Sequence, residues 1–213
     1  MNKVFNASQK FILVKNLSDE VNFELINDEF NKLSWKNNVD NKISIEMNFF
    51  NKEYLEGARN TILHHCVEYL NNTTNIKSLF TGLKMTNSWG NVTEPKHSHH
   101  EHVHPFSVVS GVIFLDNNPT NLNLYLEGYQ PDIPYFITKN KSYASLADLF
   151  REQSINPEQE DNLQYHMVLF LSNSSHFVKP TQETDMVRRT IAFNTFWEGR
   201  TGVESDPLVS TTF

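Results

Sequence analysis

From residue 78 onward the chain is a succession of short segments rich in β-branched and aromatic residues. They read SLFTGLKMTNSWGNV, SVVSGVIFL, LNLYLEGY, IPYFITK, MVLFLS, HFVKP and RRTIAFNTFW, and turn-forming clusters such as DNNPTN at 116–121 separate several of them. Short strands at this spacing predict an all-β sandwich or barrel. The segment YASLADLFREQS around 143–154 interrupts the series and reads as a short helix or irregular insertion at the rim of the scaffold. Ahead of the β-rich part, FILVK at 11–15 predicts a buried strand. Ser18, followed by two acidic residues, predicts the N-cap of a helix over 18–34. Apolar residues from Leu55 to Leu70 recur at helical spacing and predict a second helix over 52–72, capped by Asn51. The expected organisation is one continuous domain: a helical and strand support region over 1–77 and a β core over 78–213.

Composition narrows the function. The chain has 213 residues with a formal net charge of −7, so nothing global attracts it to phosphate, and nucleic acid is not an expected partner. Its apolar residues are too dispersed for a membrane span. Cys66 is the single cysteine, which removes an intrachain disulfide, a cysteine-based zinc cluster and a CxxC redox pair together. The N-terminal apolar run is too short for a secretory signal, and with the lone cysteine it places the protein in the cytoplasm. Asn-x-Ser/Thr triplets at Asn6, Asn16 and Asn91 then reflect the high Asn content rather than glycosylation. Only 7 glycines are present and none forms a phosphate-binding loop.

Five of the nine histidines fall in HSHHEHVH, at His97, His99, His100, His102 and His104. Imidazole is the commonest side-chain ligand of first-row transition metals, so a metal site is the first expectation. The strand-like PFSVVSGVIFL follows directly, which puts His102 and His104, two residues apart, on one face as that strand begins. A catalytic metal needs about three protein ligands, and His176, at the end of MVLFLS, is the candidate third. Farther on, alternation along RRTIAFN places Arg188, Thr190, Ala192 and Asn194 on one face, with Arg189, Ile191 and Phe193 on the other. An Arg with a hydroxyl two residues on is a carboxylate receptor, because the guanidinium fork pairs both oxygens and Thr190 adds a hydrogen bond.

These motifs in order, His102-x-His104-Pro105 with Ser110-Gly111-Val112, His176-x-Val178-x-Pro180, and Arg188-x-Thr190-Ile191-Ala192-Phe193-Asn194, carry a resemblance. With Ser88-Trp89-Gly90-Asn91 upstream, the chain over about 80–197 resembles the 2-oxoglutarate and Fe(II)-dependent oxygenases, most closely a bacterial and phage group with HxHP…SGV, HxVxP and RxSIAFN strands. The resemblance implies a mainly β fold, a double-stranded β-helix or jelly roll packed on helices. It also implies a dioxygenase that uses Fe(II), 2-oxoglutarate and O2, releases succinate and CO2, and hydroxylates a protein side chain or small molecule. His102, His104 and His176 would hold the iron, with no catalytic residue beyond them. Arg188, Thr190 and Tyr125 would contact the cosubstrate. His104 stands where the superfamily usually has a carboxylate, which leaves Glu101 as an alternative ligand. His166 is an alternative to His176, and Arg189 to Arg188. The competing reading is a non-catalytic or three-histidine, cupin-like metal-binding jelly roll. The insertion at 141–162 and the loop at 116–121 are the expected specificity elements. The exposed sheet edges of such a fold allow a homodimer.

Overall fold

The computed structural model describes residues 3–7, 10–73, 82–116, 124–127, 129–133, 136–139, 163–172, 175–178, 187–198, 200–201 and 211–212. The 141–162 insertion, its expected helix and most of the 116–121 loop lie outside the described residues. In chain order the elements begin with β1 (Lys3–Ala7), β2 (Lys10–Asn16), α1 (Phe23–Phe30), β3 (Trp35–Asn38) and β4 (Asn41–Ser44). Two 3-10 turns at Phe49–Asn51 and Glu53–Leu55 lead into α2 (Glu56–Thr73). The β-rich part comprises β5 (Gly82–Thr93), β6 (His99–His102), β7 (Val109–Phe114), β8 (Leu124–Glu127), β9 (Tyr129–Ile133), β10 (Phe136–Lys139), β11 (His166–Leu171), β12 (Ser175–Val178), β13 (Arg188–Glu198), β14 (Arg200–Thr201) and β15 (Thr211–Thr212).

Eight strands form the major sheet in the order β1-β2-β11-β7-β13-β5-β4-β3, and a three-stranded sheet runs β6-β12-β8. The pairings within both sheets are antiparallel. The N-terminal strands thus extend the same major sheet on both sides of the β-rich part. Rings from the two sheets meet: His176 of β12 lies 4.6 Å from Phe170 of β11, between centroids. The two sheets therefore face each other at these rings.

Register decides what each face of the major sheet carries. Ile191 pairs with Ile113 and Phe193 with Gly111, while on the next strand Met167 pairs with Ile113 and Leu169 with Gly111. Ile113, Met167, Leu169, Ile191 and Phe193 join the helix residues Phe23, Ile26, Phe30, Ile62, Cys66 and Tyr69 in one buried core. Two glycines make this packing possible. A Cβ on Gly111 would come within 2.3 Å of the Phe193 ring, and one on Gly90 within 2.8 Å of Leu33 and 2.9 Å of Phe30.

Two helix expectations need correction. The first helix starts at Phe23, not Ser18, because Asn22 accepts the backbone N–H of Leu25 at 3.1 Å and is the cap. Asn16 instead takes the N–H of Ser18 at 2.8 Å and turns the chain there. The helix ends at Phe30, and Trp35 to Ser44 form a hairpin that completes the sheet edge. The second helix begins at Glu56, because Asn51 closes a 3-10 turn by bonding back to Asn48 rather than capping. His65 on α2 is buried and held between Glu20 at 2.7 Å and Glu68 at 3.3 Å. Among the described residues no helix is long and apolar enough to cross a membrane.

Candidate metal centre

The opposite face of the major sheet is turned toward the histidines. Trp89 pairs with Ala192, Asn91 with Thr190, and Thr93 with Arg188; on the other side of β13, Phe114 meets Thr190 and Ser110 meets Asn194. Asn91, Thr93, Ser110, Arg188, Thr190 and Asn194 are all buried polar residues. Such a row on one face of a sheet, opposite a close-packed apolar face, marks a lined cavity rather than a core.

The minor sheet supplies imidazoles above this row. His176 pairs directly with His102 across β12 and β6, and His104 follows two residues beyond. One nitrogen from each of His102, His104 and His176 lies within 4.8 Å of the others. His104 Nε2 and His176 Nε2 are 3.1 Å apart. Nitrogens bound about 2.1 Å from one metal ion sit roughly 3 Å apart in adjacent octahedral positions, so this spacing fits a shared cation. The Nδ1–H of His102 donates to the carbonyl of His100 at 2.8 Å. A carbonyl only accepts, so that bond leaves Nε2 of His102 unprotonated, with its lone pair available to a metal.

Burial favours the neutral, ligating form. It pushes His104 down to about 4, helped by the charge of His102, and lowers His102 as well. The ring of His104 lies 5.8 Å from Trp89 and 6.4 Å from Phe170, which fixes its plane against the major sheet. His104 N–H also donates to the carbonyl of Ser172 at 2.9 Å. Beneath it the hydroxyls of Ser107, Ser110 and Ser172 form a buried chain that ends on the Asn194 amide at 2.7 Å from Ser110.

The two neighbouring arginines separate cleanly. Arg189 points to the outer face, where its guanidinium pairs with Asp116 at 2.6 Å and 3.1 Å and lies 5.8 Å over the Phe30 ring. Arg188 is 8% exposed and has no hydrogen-bond or ion-pair partner among the described residues. Burial pushes it down to about 10, so it remains a cation at neutral pH. Burial, with the charges of His102, His100, Arg188 and His104, pushes His99 down to about 3. A buried cation without a counter-ion is costly unless a ligand supplies one.

The structure therefore brings His102, His104 and His176 together, while Arg188 and Thr190 are buried on one face of β13. Glu101 is exposed and outside the converging group. His166 begins β11, bonds to the carbonyl of Gln164 at 3.0 Å, and is also outside that group. Tyr125 sits on β8 opposite Phe177, next to the Leu126 to His176 pair, and its side chain lies outside the described residues. Asp116, read from sequence as a turn residue, is the missed partner that occupies Arg189. Its only sequence signal is a carboxylate directly after the VIFL strand. Asn91 was visible only as part of the Ser88-Trp89-Gly90-Asn91 resemblance.

Residues 87–194, just over half of the chain, match the family described as "Putative 2OG-Fe(II) oxygenase". No curated protein matches the chain in sequence. Among solved structures, a 2OG-Fe(II) oxygenase family oxidoreductase from Burkholderia pseudomallei superposes with a TM-score of 0.53 at 8% identity, over 87% of this chain and 84% of that one. HygX from Streptomyces hygroscopicus, solved with nickel and 2-oxoglutarate, gives 0.53 at 10% identity, over 88% and 83%. SnoN, a non-heme α-ketoglutarate-dependent epimerase of nogalamycin biosynthesis, gives 0.55 at 7% identity, over 94% and 83%. Such distant likeness shows the fold, a double-stranded β-helix. The family match shows the class, and the chain belongs to the 2OG-Fe(II) oxygenase family, enzymes that work with Fe(II), 2-oxoglutarate and O2.

Proposed function

We propose that His102, His104 and His176 hold the Fe(II), and that Arg188 with Thr190 anchors the far carboxylate of 2-oxoglutarate. The observations that carry this reading are the three converging imidazoles and, on β13, the buried Arg188 guanidinium with no partner among the described residues. With three protein ligands, a bound iron would keep coordination positions for the 2-oxo acid and for O2. When bound, the iron and its cosubstrates supply the oxidising chemistry that releases succinate and CO2 and hydroxylates the prime substrate.

The chain's own residues do the rest. His100 holds the His102 ring in the ligating tautomer through its carbonyl. Trp89 and Phe170 close the wall against water beside His104. Arg188 fixes the diacid's direction, because it stands four residues from Ala192 on the same strand face, about 13 Å along the sheet from the Ala192 and Trp89 row. The donor set resembles the all-histidine sites of a cupin-like jelly roll, but that reading gives the Arg188 cation nothing to bind. The prime substrate is a small molecule or an exposed peptide side chain, and the single buried Cys66 fits a cytoplasmic enzyme.

The test is oxoglutarate-dependent succinate formation with added Fe(II). The wild-type protein should turn over 2-oxoglutarate, and His176→Ala and Arg188→Ala should not. Equal turnover by Arg188→Ala would overturn the anchor, and no dependence on 2-oxoglutarate would overturn the reading as a whole.

A further inference from the structure

We propose that Asp40 is a positioning residue for the metal centre: from the tip of the β3–β4 hairpin its carboxylate holds, through Ser98, the start of β6, the strand that carries His102. This rests on the ligand set proposed above and deepens it, by tying that set to the N-terminal part of the chain.

β6 (His99–His102) is short, and among the described residues it pairs only with β12. The pairing sets His102 opposite His176 and His99 opposite Val178, with a break in register between them. A strand with so few backbone bonds opens locally unless something else holds it. Asp40 reaches it from 58 positions upstream of Ser98. Its Oδ2 accepts the Ser98 backbone N–H at 2.7 Å and the Ser98 hydroxyl at 2.8 Å, and its Oδ1 lies 3.9 Å from His97 Nδ1. The two bonds from Ser98 keep the Asp40 carboxyl below its usual range, so both are made to a charged acceptor, the stronger kind. The hairpin is itself joined to the major sheet, where Lys42 pairs with Val92 and Ile43 with Asn91. It thus links that sheet to the edge strand of the minor one.

Backbone strain marks both partners of this contact. Val39, next to Asp40, has φ 49°, and Lys96, two residues before Ser98, has φ 67°. A left-handed conformation is uncommon for any residue with a Cβ and more so for a branched one, and it persists only where the surroundings enforce it. Val39 is 83% exposed, so no packing of its own side chain enforces the bend. The tip is braced by Asn38, whose side-chain amide donates to Asn41 Oδ1 at 2.9 Å, and the turn before β6 by the His97 N–H, which donates to the Glu94 carbonyl at 3.1 Å. Two strained turns that meet through one carboxylate are accounted for by what the contact holds in place.

Asp40→Ala and Asp40→Asn test the assignment in the full-length protein, with Lys42→Met as a control on the same hairpin. Equilibrium dialysis measures Mn(II) affinity, and hydrogen exchange of the apo protein measures opening of residues 97–104. Asp40→Ala should speed exchange across β6 and weaken Mn(II) binding by about threefold to tenfold, because an undocked strand does not present His102. Asp40→Asn should recover most of both, since an amide oxygen accepts the same two bonds from Ser98. Lys42→Met breaks only an exposed pair with Glu94 and should leave Mn(II) affinity within about twofold. A lower apo melting midpoint in Asp40→Ala with Mn(II) affinity unchanged makes the contact a stabilising one only and overturns the proposal. Failure of Asp40→Asn to recover either readout assigns the effect to the charge facing His97 and overturns the role of the Ser98 bonds. Mn(II) binding lost in His176→Ala but unchanged in Asp40→Ala overturns Asp40 alone. Wild-type protein that binds Mn(II) no better than His176→Ala overturns the ligand set, and the positioning role falls with it.

Discussion

Arg188 and Arg189 are adjacent in the chain and lie on opposite faces of one sheet. On the helix-covered face, two buried or half-buried charged groups are matched: Arg189 meets Asp116, and Glu29, buried at 3% exposure, is satisfied by Tyr54 at 2.6 Å and Lys32 at 3.1 Å and pairs with Lys52. On the pocket face, Arg188, Asn91 and Thr190 have no partners among the described residues. The difference teaches which face was shaped for stability and which for a ligand, since a protein leaves buried polar groups unpaired chiefly where binding will complete them.

The strongest way to break this comparison is at the imidazoles. His176→Ala removes one of three converging donors. Losing a group that only orients a metal ligand costs 10- to 100-fold in affinity, so losing a ligand should cost at least about 100-fold. Equilibrium dialysis with Mn(II) or Fe(II) measures this.

The arginines should then respond with opposite signs. Arg188→Met removes a buried unpaired charge, so the apo protein should melt no lower than wild type, while 2-oxoglutarate affinity falls by roughly 10- to 100-fold. Arg189→Met should leave that affinity unchanged and cost under about 1 kcal/mol of stability, because its ion pair is partly exposed and screened. Paired melts and calorimetry on the two variants decide whether the faces differ as described.

On the apolar face, Gly111→Ala drives a methyl group against Phe193 and Leu169. Overpacking of this kind costs about 1–3 kcal/mol, which in a chain of this size lowers the melting temperature by several degrees. Metal binding in the folded fraction should be unaffected.

The smallest effect concerns pH. The hydrogen bond from Lys15 holds the Glu20 carboxyl below its ordinary value of 4.5, with a further contribution from His65. A carboxyl lowered in the folded state binds fewer protons there than in the unfolded chain. Its contribution is therefore full above about 4.5 and is lost as pH falls through the folded value. Wild-type melting temperature should drop more steeply below that pH than that of Glu20→Gln, and parallel curves would remove Glu20 from the account.

Much of the site was legible because alternation is a local rule. The division of RRTIAFN into an Arg188 face and an Arg189 face follows from the two-residue period of a strand, and the structure has it. The helix starts were less legible, because Ser18 and Asn22 are both good caps and local composition does not choose between them. The β3–β4 hairpin was missed, since it completes a sheet edge whose partner, β5, lies some fifty residues on.

The sequence by itself determined which side chains share a strand face, that histidines are gathered before one strand, and that a basic residue and a hydroxyl stand two apart on another. It could not choose between the two arginines as anchor. What bears on that choice is Asp116, 73 residues away from Arg189, arriving beside it through the β7 to β13 pairing. Nor could it show that His176 faces His102, or that Asn91 faces Thr190. Those are cross-strand registers between segments distant in the chain. A slip of one residue would turn every one of these groups to the other side.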